Sequence, residues 1–483
     1  MSERRALVGA TALGVVNALK YGLQLMVLPV LARLLEPEAF GIVALAMPFI
    51  LLAQMLSDAG MGTALARERE PSHELESTVF WLALAVGLTT TLVIAAASAP
   101  LAAAFDQPNL APILATLSII MTIGSSLSVA NARVTRSRRF EIFAVGELIA
   151  SVLSAAVAIT AALNGWGAWS LVASQLTLWI AKALWLWPVT RFVPLPACRP
   201  ALARSYVAFG LHTVGANIAD FGSKNLAPLV IGGALGVTAV GHYTLGWQLN
   251  RIPDAIISGP VYMSVFAAVA AAEAGRAELV LRPLRLLVVV LAPVFAGLAL
   301  VADLIVPIVL GDQWHATAPV LAALAPAGFL LCLFSIASSA LLAMGRADRQ
   351  FRLTVTLGLA VLAGAALGAR FGLPGVGLGV SAACLVMAPA YVRALTRELG
   401  IRPAQLFAGM AAPVAAAAGM ALVVLLVRRE IGGLPEAAQL AVAIAAGALA
   451  YAAALLALGR RRVLADVRTL LAARHGVAVD GRR

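Results

Sequence analysis

Four polar side chains interrupt an apolar stretch near the start of the chain. Asn17, Lys20, Tyr21 and Gln24 fall at i, i+3, i+4 and i+7, which puts them on one face of a helix. The spacing returns with Asn217, Asp220, Phe221 and Lys224. Gln248, Arg251 and Asp254 step by three along the next apolar stretch, and Gln54 and Asp58 step by four along its earlier counterpart. Amides, ammonium, guanidinium and carboxylate groups in such stripes bind things: they hydrogen-bond hydroxyls and pair with charges. A charge at the centre of a lipid-facing helix costs about 2.5–3.5 kcal/mol. The stripes are therefore expected to face water, a partner charge or a ligand. Asp220 with Lys224, and Arg251 with Asp254, are also spaced to pair within their own helices. Lys20 has no acidic group on its own helix face. It is the leading candidate for an anionic ligand group, because a desolvated cation needs a counter-charge.

Other chemistry is excluded or weak. Lys182, Asp58, Glu147 and Asp303 lie toward span ends, where solvation at the interface accounts for them. His212 on span seven has the chemistry of a proton relay, but a lone histidine near a helix start is more often a hydrogen-bonded polar residue. Cys198, Cys332 and Cys384 are odd in number and far apart, which argues against a disulfide framework. No phosphate-binding G-x-x-x-x-G-K-[ST] loop, metal-ligand cluster or Ser/His/Asp arrangement occurs, so neither catalysis nor a bound cofactor is expected.

The elements that carry the stripes are duplicated. Asn17, Tyr21, Gly22, Val30, Leu35, Ala39, Gly41 and Leu45 recur as Asn217, Phe221, Gly222, Val230, Leu235, Ala239, Gly241 and Leu245, at one offset without a gap. A constant offset through two apolar segments and their turn marks a repeated unit. Matched polar stripes in both copies predict a hydrophilic cavity shared by two related halves.

The chain has 483 residues, 61% hydrophobic and only 12% charged, with a mean hydropathy of +0.94. Soluble domains are not built this way. Runs of about 20 apolar residues, enough to cross the hydrocarbon core, fill nearly the whole chain. We read fourteen spans, at 7–33, 40–62, 77–98, 110–131, 142–163, 167–187, 203–232, 238–270, 285–309, 317–344, 352–370, 374–394, 407–427 and 437–458. With the N-terminus inside, the cytoplasmic segments carry 27 arginines and the outer segments four. That bias places both termini in the cytoplasm. It also gives the net charge of +12 a membrane-surface meaning rather than a nucleic-acid one. The fold expected is an all-α integral membrane protein of 14 transmembrane helices. Two pseudo-twofold-related six-helix lobes (1–187 and 205–394) flank a proline-containing linker (188–204). An appended pair of spans (395–458) and a basic tail (459–483) follow.

The segment Leu31-Ala-Arg-Leu-Leu-Glu-Pro-Glu-Ala-Phe-Gly-Ile-Val-Ala-Leu, followed by Ser57-Asp-Ala-Gly-Met-Gly-Thr-Ala-Leu, resembles the polysaccharide flippases of the MOP exporter superfamily, the Wzx-type branch. So does Asn225-Leu-Ala-Pro-Leu-Val-Ile-Gly-Gly-Ala-Leu-Gly-Val-Thr-Ala-Val-Gly-His-Tyr-Thr-Leu-Gly. The likeness covers the first twelve spans. It departs at Phe266-Ala267, where that family often has a proline. The resemblance implies a V-shaped pair of lobes working by alternating access in a bacterial inner membrane. It implies transfer of an undecaprenyl-diphosphate-linked oligosaccharide from the cytoplasmic to the outer face, among membrane lipids. Lys20, Lys224 and Arg251 would then contact diphosphate or acidic sugars, and Asn17, Gln24, Asn217 and Gln248 would bond sugar hydroxyls. A coupling ion, H+ or Na+, and a polysaccharide polymerase or other assembly proteins are candidate partners.

Two rivals remain at this point. A drug or cation antiporter of the same superfamily would use Asp220 and Asp254, but three basic neighbours oppose a cationic cargo. A membrane polysaccharide polymerase or ligase would need a large outer loop, and the outer connections here are short.

Overall fold

In the computed structural model the described residues are 16, 19–20, 22–58, 61–68, 70–196, 199 and 225–476. Among them every regular element is helical. The chain divides into two units, Met1–Thr244 and Leu245–Arg483.

In the first unit, α1 (Gly22–Leu34) leads into α2 (Pro37–Asp58) and α3 (Met61–Arg67). Proline opens α2 where the missing N–H has no helical partner to lose. The next helix, α4 (His73–Ala104), is capped by Ser72, whose hydroxyl accepts from the Leu75 N–H at 3.2 Å. Glu74 and Glu76 sit in its first turn, against the positive end of the helix dipole. Then α5 (Leu110–Leu117), α6 (Ile119–Ser126) and α7 (Ser128–Ser137) form one apolar path that bends by 43° at Leu127. A tight turn through Gly165 (φ 77°) and Gly167 (φ 54°) joins α8 (Phe140–Leu163) to α9 (Ala168–Thr190) as an antiparallel hairpin. Leu45, Leu110, Leu114, Leu117 and Met121 pack as a fully buried core between α2, α5 and α6.

Two elements of the second sequence copy begin in this unit: α10 (Ala227–Leu235) and α11 (Val237–Pro253). Gly41 on α2 lies against the Val237 carbonyl, and Gly241 on α11 lies against the Pro37 carbonyl. These are repeat-related residues making the same contact in both directions. A Cβ at either glycine would stand well under 3.0 Å from a backbone oxygen. The duplication read from the sequence is thus a structural symmetry at this crossing.

In the second unit, α11 passes through a π turn at Asp254–Ser258 into α12 (Gly259–Ala271). Pro253 and Pro260 bracket the turn. Their missing N–H groups leave the Leu249 and Ile256 carbonyls without their helical donors, which accounts for the widened turn. Next come α13 (Arg276–Leu300), α14 (Ala302–Leu310) and α15 (Thr317–Ala343). The pair α16 (Ala347–Ala369) and α17 (Gly372–Leu399) packs backbone to backbone, Gly364 on Gly379 and Gly368 on Gly375. Small residues at such a seam let dispersion forces act between closely spaced helices. The short α18 (Pro403–Phe407), α19 (Ala411–Glu430) and α20 (Glu436–Gly476) end the described chain.

The appended pair is tied to its own unit. The Arg428 guanidinium meets the Asp303 carboxylate, at 3.0 Å to Oδ1, and also the Leu300 carbonyl. Tyr451 donates to the Val289 carbonyl at 2.7 Å. Asp303 is therefore a docking residue rather than a merely solvated one.

Ten described helices are long and apolar enough to cross a membrane, or eleven with the bent α5–α7 path. The expected fourteen are not all reached. Gln175 and Lys182, with four tryptophans, lower the hydropathy of α9, and the expected first and seventh spans lie partly outside the described residues. The expected ninth span is broken at Val301 into α13 and α14. The last helix, α20, continues past residue 459 to Gly476.

Candidate functional site

The hairpin of α8 and α9 is drawn together where α8 has no side chain. Gly146 faces the Trp185 indole, and a Cβ there would strike the ring. Trp185 Nε1 donates to the Ile142 carbonyl at 3.0 Å, which fixes the ring in place. This close approach brings the neighbouring charges level. Glu147 lies about two turns inside α8 and Lys182 about two turns inside α9. Lys182 Nζ lies 2.6 Å from Glu147 Oε2, and Lys20 Nζ, carried just ahead of α1, meets Glu147 Oε1. Lys182 Nζ also stands 5.2 Å from the centre of the Trp179 ring, within cation–π range.

One carboxylate therefore serves two ammonium groups inside apolar helices. The side chains are 36%, 23% and 20% exposed for Lys20, Glu147 and Lys182, so the cluster is neither sealed nor open. Among the described residues it carries one positive charge in excess. Such a cluster can hold an anion.

Lys20 thus has an acidic partner, supplied by another helix rather than by its own face. Glu147 and Lys182, read from sequence as interfacial, belong with it. A signal for them existed: in a hairpin closed by a four-residue turn, charges nearly equidistant from the turn face each other. Of the remaining expected site residues, Asn17, Asn217, Asp220 and Lys224 lie outside the described residues. Gln24 is exposed on α1. In the second unit Gln248 and Asp254 are half-buried and Arg251 is exposed. Asp254 and Ser258 lie beside the Cys332 thiol on α15. One turn earlier, Asn250 is 1% exposed against Gly328 and Phe295. Neither of its amide atoms has a hydrogen-bond partner among the described residues. Sequence reasoning passed over Asn250, whose repeat mate is the apolar Ile50.

A second cluster holds the end of α4. Glu76, 3% exposed, accepts from Arg133 Nε at 3.1 Å and Arg136 Nη2 at 2.9 Å. Arg133 also lies over the Phe192 ring at 4.7 Å and donates to the Thr190 carbonyl at 3.2 Å. The chain after α9 is strapped along α4. Trp81 Nε1 donates to the Leu195 carbonyl at 2.7 Å, and the Leu195 N–H donates to Ser77 Oγ at 3.0 Å. The Glu76 carboxylate has both oxygens engaged within this cluster, which reads as structural.

Residues 30–319 match the family described as Polysaccharide biosynthesis protein. The succinoglycan biosynthesis transport protein ExoT of Rhizobium meliloti (strain 1021) is 29% identical over 310 residues, 63% of this chain and 62% of that protein. The chain thus spans less than two thirds of that relative's length. The lipopolysaccharide biosynthesis protein WzxC of Escherichia coli (strain K12) is 24% identical over 365 residues, 73% of each chain. Among solved structures, the lipid II flippase MurJ in its inward closed conformation has a TM-score of 0.76 at 12% identity, covering 93% of this chain and 99% of that one. A multidrug resistance MATE family transporter of the MOP superfamily, inward-facing, has a TM-score of 0.57 at 15% identity, covering 79% and 94%. At these identities the likeness is one of fold.

Proposed function

Because the chain belongs to the polysaccharide biosynthesis protein family, we propose that it is a flippase for an undecaprenyl-diphosphate-linked oligosaccharide repeat unit. It is a multi-pass membrane transporter rather than an enzyme, as its named relatives are. In this reading it moves the unit from the cytoplasmic to the outer face of the inner membrane by alternating access, for exopolysaccharide, capsule or O-antigen synthesis. Both termini are cytoplasmic, following the arginine bias. The fourteen-span layout of two six-helix lobes, a linker at 188–204 and an appended pair belongs to the same proposal.

The observation that carries the reading is the cationic cluster of Lys20, Glu147 and Lys182 within apolar helices. A lipid-linked sugar has a diphosphate that needs cations, hydroxyls that need amides, and a prenyl chain that can remain in lipid. Lys20, with Lys224 and Arg251, would meet the anionic part. Asn17, Gln24, Asn217 and Gln248 would meet hydroxyls, with Asp220 and Asp254 balancing charge. A coupling ion, H+ or Na+, and a polymerase working beside the protein are further parts of the proposal.

The test is a deletion strain carrying wild-type or Lys20→Ala protein at equal membrane levels. Loss of the protein should trap complete lipid-linked units in the cytoplasmic leaflet, and Lys20→Ala should restore little export. Full polymer export by Lys20→Ala would remove Lys20 from the site. Full export by the deletion strain would end the flippase reading.

A further inference from the structure

The cluster on α8 and α9 has a division of labour that the flippase reading alone does not assign. We infer that Glu147 is an exchangeable counter-ion: it occupies, on Lys20, the place that a phosphate-bearing headgroup takes when substrate arrives. This rests on the proposed function above.

The geometry separates a permanent pair from a breakable one. Glu147 presents Oε1 to Lys20 and Oε2 to Lys182, so one bond can open while the other persists. Glu147 and Lys182 belong to two helices of one hairpin, locked by the Gly146–Trp185 contact. Lys20 comes from a different segment, and its side chain is the more exposed of the two lysines, at 36% against 20%. The Trp179 ring supports the Lys182 ammonium from a further side. An incoming anion therefore reaches Lys20 first and can take it from Glu147, which stays on Lys182. A diphosphate carries more negative charge than one carboxylate, so the exchange is electrostatically favourable. An uncharged headgroup has no means to displace Glu147. The bond that breaks is the one between Lys20 and Glu147 on the hairpin. Glu147 and Lys182 are thus positioning residues that act through Lys20.

The exchange predicts opposite signs for two conservative changes. Glu147→Gln removes the competitor while keeping its shape. It should tighten binding of undecaprenyl diphosphate about tenfold and slow polymer export in cells. Lys182→Met leaves Glu147 wholly on Lys20 and should weaken binding by a similar factor. The double variant should bind like or better than wild type. Binding is measured on the full chain in nanodiscs with labelled undecaprenyl diphosphate, with undecaprenol as the uncharged control. Repeating it with inorganic pyrophosphate, and with and without phosphatidylglycerol, separates the substrate's diphosphate from free or bilayer phosphate. A gain in Glu147→Gln that depends on phosphatidylglycerol alone overturns the assignment to substrate. So does equal binding of undecaprenol. Loss of binding in both single variants marks the cluster as merely structural, and unchanged binding in both ends the exchange. None of these outcomes touches the flippase reading, which stands or falls on the deletion strain. No binding of undecaprenyl diphosphate by any form overturns the exchange as well.

Discussion

Glu76 shows what a buried carboxylate does when its partners are fixed. It is 3% exposed and holds Arg133 and Arg136, and Arg133 in turn reaches the Thr190 carbonyl and the Phe192 ring at the end of α9. Glu76→Ala strands two guanidinium groups that are each about a quarter exposed. Breaking a buried pair from one side costs about 3–5 kcal/mol, and their partial exposure places this case at about 3. Purified protein should show a clear fall in melting temperature. Arg199 pairs with Glu74 in the same region, but both side chains are about half exposed or more. Arg199→Ala should therefore cost under about 1 kcal/mol. Equal losses for the two variants would show that the strap, and not the buried carboxylate, carries the stability.

At the scale of elements, the α16–α17 pair depends on what its glycines lack. Gly379 lies on the Gly364 backbone, with no room for a side chain. Gly379→Leu must separate two helices, and overpacking of this kind costs about 1–3 kcal/mol or more. Gly419 is the contrast. It sits inside α19 with nothing within 4 Å of a would-be Cβ. Gly419→Ala should stabilise by roughly 0.5–1 kcal/mol through helix propensity. Thermal unfolding of the two variants in one detergent reads both signs. The apolar pattern alone makes these glycines look alike; only the neighbour across the seam separates them.

At the scale of the whole molecule, the repeat predicts paired consequences. Gly41 meets the Val237 carbonyl as Gly241 meets the Pro37 carbonyl. Gly41→Leu and Gly241→Leu should therefore lower folded yield and export to a similar degree. Fluorescence-detected size exclusion and polymer assays would measure it. A severe effect from one and none from the other would mean that the crossing carries load on one side only. Asn250 and its mate Ile50 show where the copies have diverged: the symmetry is kept in backbone contacts and relaxed in side-chain polarity.

The sequence by itself determined the membrane character, most span positions and the duplicated turn. These follow from local pattern: apolar run length, arginine placement and a constant offset are all properties of neighbours along the chain. It also put Lys20 on a polar helix face and marked it as needing a counter-charge. Periodicity names a face but not the neighbour that the face meets. That Glu147 supplies the counter-charge, and that Lys182 shares it, was decided only when the α8–α9 hairpin closed at Gly146 against Trp185. The break at Val301 and the π turn after Pro253 were likewise settled in three dimensions, because a helix bends where lost backbone bonds and close packing coincide, and hydropathy records neither.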